Sequence, residues 1–202
     1  VICWRKVLMP TKVTFTGRQG TGKDTSIFGV AHKLKMLGYD IEVINEMARD
    51  AWYRGFTLSS QTTIPSQLYI LGKQLCVEAF HNEKSKADFI LYNRSMLDCV
   101  AVSRLVLSSE VADAFEKSIF ELLKLNPYDL ILQFQPFQEE VPDDKVRDTN
   151  PEFIAKVQKA FEDLAYTLIG RGYNVKFINV RKQSIDDICD IITKKEIVQH
   201  NL

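Results

Sequence analysis

The residues with the most chemical content in this 202-residue chain are Gly17-Arg18-Gln19-Gly20-Thr21-Gly22-Lys23, which satisfy the spacing Gly-x4-Gly-Lys. Glycines let the backbone wrap an anion closely, so successive N–H groups and the positive end of a following helix all point at a phosphate. Lys23 then reaches the β- and γ-phosphates of a nucleoside triphosphate. Gly17, Gln19, Gly20, Thr21, Gly22, Lys23, Asp24 and Thr25 are accordingly the candidate binders of ATP. One residue departs from the common pattern. Asp24 stands where a Ser or Thr usually binds Mg²⁺, and Thr25 follows one position later. A carboxylate beside phosphates is repelled unless a cation lies between them, so Asp24 either joins the Mg²⁺ shell or points away. Asp24 and Thr25 are the candidate metal ligands.

Phosphoryl transfer to a hydroxyl also needs a carboxylate to position or deprotonate the acceptor, and cations to neutralise charge on the moving group. Such groups belong at strand ends. Glu46 and Arg49 follow a short β-rich run, and Arg94, with Asp98 four residues on, follows another. Glu46 is the preferred general base, Arg94 a candidate catalytic cation, and Arg49 and Asp98 candidate acceptor contacts. The plainer readings are a surface pair at a helix start for Glu46 and Arg49, and an i,i+4 ion pair for Arg94 and Asp98. Trp52, Tyr53 and Phe56, with Arg54, suit either stacking on a ring of the acceptor or ordinary core packing.

The elements that must hold these residues alternate between strand and helix. Residues 12–16 (KVTFT), 40–45 (DIEVIN), 87–92 (ADFILY), 129–134 and 174–180 read as strands. Helical spacing covers 27–37, 66–84, 96–107, 110–125 and the stretch after Asn150, where Phe153, Val157, Phe161, Leu164 and Leu168 line one face, with Gly38, Gly170 and Gly172 as stops and Ser184 with Asp187 as a capping box for a last helix. Residues 46–60 read as a polar stretch without period. This order predicts an α/β fold, a five-stranded mainly parallel sheet with helices on both faces, whose ligands bind at the C-terminal strand ends. Residues 136–149 are acidic and aperiodic, and their length after the fourth strand suits a lid or a plain acidic surface loop.

Composition narrows the classes. The 26 basic residues balance 26 acidic ones, which does not favour a nucleic-acid binder, although Arg18, Lys33, Lys35, Arg49 and Arg54 could form a local basic track. With 46% hydrophobic and 26% charged residues and no long apolar run, the chain reads as a soluble cytoplasmic protein. Cys3, Cys76, Cys99 and Cys189 lack paired spacing and read as reduced, mostly buried thiols; His32, His81 and His200 lack metal-ligand spacing. Residues 1–10 read as an N-terminal extension without the features of a secretory signal, and 11–202 as a single domain.

The phosphate loop, Glu46 to Arg49, a helix with Gln67, Gln74 and Glu78, Arg94-Ser95 with Asp98, and Asp143-Asp144-Lys145-Val146-Arg147 together resemble a known family. They are similar to the ATP-binding module of the nicotinamide riboside kinase domains of bifunctional NAD-biosynthesis regulators and to related P-loop nucleoside and nucleotide kinases. Gly-Lys-x-Thr also resembles adenylate-kinase-like and some deoxynucleotide kinases, where Mg²⁺ is held largely through water. The resemblance implies a P-loop fold of the nucleotide-kinase type, ATP with Mg²⁺, and Glu46 near the acceptor hydroxyl. It implies Gln67 and Asp144 as acceptor contacts and a lid whose Arg147 meets the phosphates. The acid usually preceding the arginine after the third strand is Asn93 here, so a carboxylate that supports magnesium in the family is replaced. The expected activity is ATP-dependent transfer to a hydroxyl of a small nucleoside- or nucleotide-like acceptor. The alternatives are a kinase of hydroxymethylated bases in phage DNA and a P-loop ATPase switch.

Overall fold

The computed structural model describes residues 9–136 and 150–194. The extension 1–8, the expected lid with Asp144 and Arg147, and the tail with His200 lie outside the described residues. Five strands, β1 (Thr11–Thr16), β2 (Ile41–Ile44), β3 (Phe89–Asn93), β4 (Leu130–Phe134) and β5 (Val175–Ile178), form one sheet in the order β2-β3-β1-β4-β5, with every pairing parallel. The intervening helices are α1 (Lys23–Met36), α2 (Met47–Tyr53), α3 (Ile64–Lys84), α4 (Met96–Val106), α5 (Ser109–Leu125), α6 (Pro151–Gly170) and α7 (Ile185–Thr193).

Alternation of side chains along each strand divides the core in two. Val13 and Phe15 of β1, Leu91 of β3 and Leu132 of β4 face α1 and α7 through Ile27, Leu34 and Ile188. Ile90 and Tyr92 of β3 and Ile131 of β4 face the other way, onto Leu97, Val100, Ile119, Phe161 and Leu164 of α4, α5 and α6. Burial on both faces matches the continuous apolar runs of β3 and β4, in which every residue is buried. Among the described residues no helix is long and apolar enough to cross a membrane.

The strands are shorter than expected at several ends: β2 closes at Ile44 and β5 spans four residues. Gly170 is the last residue of α6 rather than a stop beyond it, while Gly172 adopts φ +85° and turns the chain. The capping box of Ser184 and Asp187 is present, and Asn150 caps α6 through its side chain. The polar stretch after Glu46 contains α2, which the sequence pattern misses because it buries Ala51 alone and so carries no periodic signal.

Candidate active site

The phosphate loop leaves the C-terminal end of β1 and enters α1 at Lys23, with positive φ at Gly17, Gly20 and Gly22. Gly17 is required twice over. Its φ is +130°, and a Cβ there would lie 2.8 Å from the Phe134 carbonyl oxygen of neighbouring β4. Lys23 is buried, and its Nζ donates to the Arg18 carbonyl oxygen at 2.6 Å and to Thr21 Oγ1 at 3.2 Å. Burial and, next, the positive charge of Arg94 pull its pKa down to about 7, against the attraction of Asp98, Glu46 and Asp24.

Register brings the second constellation to this loop. Asn93 of β3 pairs with Phe15 of β1, so Arg94 stands level with the start of the phosphate loop, and its N–H bonds the Phe15 carbonyl at 3.1 Å. Ile44 of β2 pairs with Tyr92, which carries Glu46, two residues on, to the level of Arg94. Arg94 spans all three. Nε donates to Glu46 Oε1 at 2.7 Å, and Nη1 donates to Asp98 Oδ1 at 2.9 Å and to the Gly17 carbonyl at 3.3 Å. Burial opposes its charge, but Glu46 and Asp98 together outweigh burial and hold the guanidinium above its ordinary range. Arg94 adopts φ +72°, a left-handed conformation that costs a side-chain-bearing residue roughly 1–3 kcal/mol and clusters at functional sites.

Asp98 is committed on every side. Its Oδ2 accepts from the Ser95 N–H at 3.0 Å, closing a capping box at the start of α4, and from Thr16 Oγ1 at 3.1 Å. Burial pushes its pKa up, with Arg94 and Lys23 pulling it back. The ion pair of Arg94 and Asp98 read from the sequence is thus present, and Arg94 reaches Glu46 as well.

Asp24, in the first turn of α1, accepts from Asn93 Nδ2 at 2.8 Å. Among the described residues no cluster of three His, Cys, Asp or Glu side chains could form an all-protein metal cage. One carboxylate and one hydroxyl beside a phosphate loop fit Mg²⁺, which keeps several waters and takes the remaining ligands from substrate phosphates. Asp24 and Thr25 are so placed, and both line the cavity described next.

One cavity of about 290 Å³ unites these groups. The loop residues Gln19 to Thr25 line it together with Glu46, Arg49, Gln67, Arg94 and Asp98. Gly17 acts through its backbone rather than as a lining residue. The wall also includes residues the sequence reading did not nominate for the site, among them Ile70 of α3, Val102 of α4, and Phe153, Val157 and Phe161 of α6. Phe153, Val157 and Phe161 had the spacing of a core-facing stripe, and nothing in a single stripe separates core from pocket floor. Gln67 carries a buried Oε1 without a hydrogen-bond partner. Gln74, also on this wall, donates to Glu78 Oε1 at 2.7 Å, and the same oxygen accepts from Tyr128 at 2.6 Å.

Trp52, Tyr53 and Phe56 do not line the cavity. Trp52 and Tyr53 meet edge to face, and Phe56 stacks on Tyr69 at 4.6 Å between ring centroids. The basic residues considered for a track are dispersed: Arg18 is buried in the loop, Lys33 pairs with Asp186 of α7, and Arg54 pairs with Asp50. Cys76, Cys99 and Cys189 are free thiols, of which Cys76 is exposed.

No curated protein matches the sequence. Among solved structures the chain is similar to NadR protein in complex with NR, at 16% identity and a TM-score of 0.73, over 96% of this chain and 54% of that one. A second NadR structure, with NAD and AMP-PNP, gives a TM-score of 0.68 at 16% identity, over 96% of this chain and 52% of that one. The chain thus spans about half the length of these NadR chains. Deoxyadenosine kinase from M. mycoides with bound dATP matches over 92% of this chain and 98% of that one, at 14% identity and a TM-score of 0.57. Identities this low speak to the fold, and the fold is that of the P-loop kinases. The sequence itself is more specific: residues 12–187, from the first strand through the last capping box, match AAA_28, an AAA domain, and the chain belongs to that P-loop family.

Proposed function

We propose that this chain moves the γ-phosphoryl group of ATP to a hydroxyl of a nucleoside- or nucleotide-like acceptor. The observation that carries the reading is that Lys23 of the phosphate loop and the acid Glu46 line one cavity, joined by Arg94 and continued by an apolar wall of ring-binding character. ATP phosphates lie along the loop N–H groups with Lys23 exchanging its loop carbonyl for a phosphate oxygen, a stronger charge-assisted contact. The acceptor lies against Ile70, Phe153 and Val157 with Gln67 and Arg49 as polar contacts, and presents its hydroxyl to Glu46. As the new O–P bond forms and the bond between γ-phosphorus and the bridging oxygen breaks, the hydroxyl proton passes to Glu46 and ADP departs. Arg94 fixes the Glu46 carboxylate and adds positive charge beside the transferring group. Asp98 positions Arg94. Mg²⁺, with Asp24 and Thr25 as its protein ligands, supplies charge neutralisation on the phosphates when bound.

In this reading residues 11–202 form one kinase domain working in the cytoplasm, and the family resemblance assigns Arg147 to the phosphates and Asp144 to the acceptor. The test is incubation with labelled ATP and Mg²⁺ against nucleosides, nucleotides, nicotinamide riboside and hydroxymethylated DNA. Transfer to a small acceptor is expected. Binding of ATP with transfer to none of these overturns the reading. Glu46→Gln should lower the transfer rate by roughly 10²–10⁴-fold while leaving ATP binding in place.

A further inference from the structure

The chain between α2 and α3 is strained at one residue. From α2, which Glu46 opens, to α3, which Thr63 caps through the Ser66 N–H, it makes a single turn of 3-10 helix at Ser59–Gln61. The Gln61 N–H donates to the Leu58 carbonyl at 3.3 Å, and the Thr62 N–H to that of Ser59 at 3.2 Å. Ser59 adopts φ +63° there. Positive φ at the first central position of a turn suits Gly, Asn or Asp, and a glycine would hold the same turn at ease. What serine adds is a hydroxyl. Among the described residues Ser59 and Arg94 are the two that combine a side chain with positive φ, and both line the cavity. Strain of this kind persists where the surroundings over-determine it, and it gathers at ligand sites.

We infer that Ser59 contacts the acceptor, its hydroxyl hydrogen-bonding an uncharged polar group of the molecule that receives the phosphoryl group. The inference rests on the kinase reading above and names a specificity residue within it. Position favours the acceptor over ATP. The turn packs on α4, whose Cys99 and Val102 line the cavity and which covers the sheet face opposite α1. Ser60 and Gln61 are exposed, whereas Ser59 is half-buried and Thr62 buried, so the turn directs Ser59 and Thr62 inward. Among the described residues no hydrogen bond occupies the Ser59 hydroxyl, which leaves it able to donate or accept. The other cavity-lining residues between 58 and 67, Leu58, Thr62 and Gln67, are uncharged, and Gln67 Oε1 is buried without a partner. A phosphate or carboxylate meets no countercharge from them, whereas a hydroxyl, carbonyl or amino group of a ring or sugar is satisfied by hydrogen bonds alone.

Initial-rate kinetics on the full chain test it, with ATP, Mg²⁺ and the member of the nucleoside and nucleotide panel that the wild type phosphorylates. Ser59→Ala removes the hydroxyl and keeps the strained turn; Ser59→Gly removes it and relieves the strain. Both should raise the acceptor KM by about 10-fold, as expected for one neutral hydrogen bond. The KM for ATP and kcat should change little, the pattern of binding lost equally from ground and transition states. Ser59→Gly should also raise the thermal midpoint. An acceptor KM that Ser59→Gly leaves at the wild-type level would show that the residue only shapes the turn, and overturns the inference. So does an increase confined to the KM for ATP, which would move the hydroxyl to the donor. A wild type that transfers to no acceptor overturns the kinase reading itself, and this assignment with it.

Discussion

The side-chain amide of Asn93 donates to Asp24 Oδ1 across 2.8 Å, joining the two residues by which this chain departs from common phosphate-loop patterns. One stands after the loop lysine, where a hydroxyl is usual; the other stands before Arg94, where an acid is usual. The departures compensate. With the carboxylate moved onto α1, an acid at position 93 would set two negative groups within hydrogen-bond distance, and one of them would have to take a proton. An amide can donate instead, so Asn93 satisfies the Asp24 carboxylate where an acid would repel it.

This exchange predicts a distinct response to substitution. Asn93→Asp should lower stability by about 1–3 kcal/mol at neutral pH, because a buried donor is replaced by a repelling acceptor. The loss should shrink below the ordinary carboxylate range, where the new pair shares a proton. Asp24→Ala should weaken ATP binding in the presence of Mg²⁺ by roughly 10-fold and leave metal-free binding unchanged or tighter, since it removes both a ligand and a repelling charge. Thermal melts across pH and calorimetry with and without Mg²⁺ read the two effects. Equal weakening with and without metal would remove Asp24 from the metal site.

Much of this arrangement was legible in the sequence, and what was not has a physical cause. The phosphate loop declares itself because glycine spacing, a preceding strand and a following helix all answer to one local requirement, an anion at a helix N-terminus. Glu46, Arg94 and Asp98 could be nominated from their places after strands, but their meeting depends on β2, β3 and β1 lying side by side, which is fixed by register between segments distant in sequence. The link between Asn93 and Asp24 has the same origin. The apolar cavity wall was hidden for another reason: Phe153, Val157 and Phe161 obey the helical period whether they meet core or ligand. The aromatic run after Glu46 left ligand stacking and packing open, and the choice turns on tertiary contacts: α2 and α3 pack against each other, and Phe56 stacks on Tyr69.

Arg94 is held between two acids in a left-handed conformation, so its loss should be felt in both stability and catalysis. Arg94→Ala leaves Glu46 and Asp98 facing each other in a largely buried site, at a cost of about 3–5 kcal/mol. Arg94→Lys keeps the charge but cannot span Glu46, Asp98 and the Gly17 carbonyl at once. It should therefore recover most of the stability and little of the transfer rate. Denaturant titration with single-turnover kinetics separates the two losses. Full activity in Arg94→Lys would show that the three-way span is dispensable.

Lys23 gives a prediction with a defined pH window. Burial and Arg94 lower its pKa from 10.5 to about 7, so between these values the unfolded chain carries a proton that the folded chain lacks. Stability from this group accordingly rises with pH across that window, by up to about 1.4 kcal/mol per unit, and is flat below pH 7, where both states are protonated. Bound phosphates reverse the balance by favouring the ammonium. At pH 8 ATP binding should therefore take up nearly one proton, falling toward none at pH 6 where Lys23 is already charged. Calorimetry in buffers of different ionisation enthalpy measures that uptake directly. Lys23→Met should abolish it and flatten the pH dependence of the thermal midpoint above pH 7. Proton uptake that persists in Lys23→Met would mean that another group, rather than the loop lysine, senses the triphosphate.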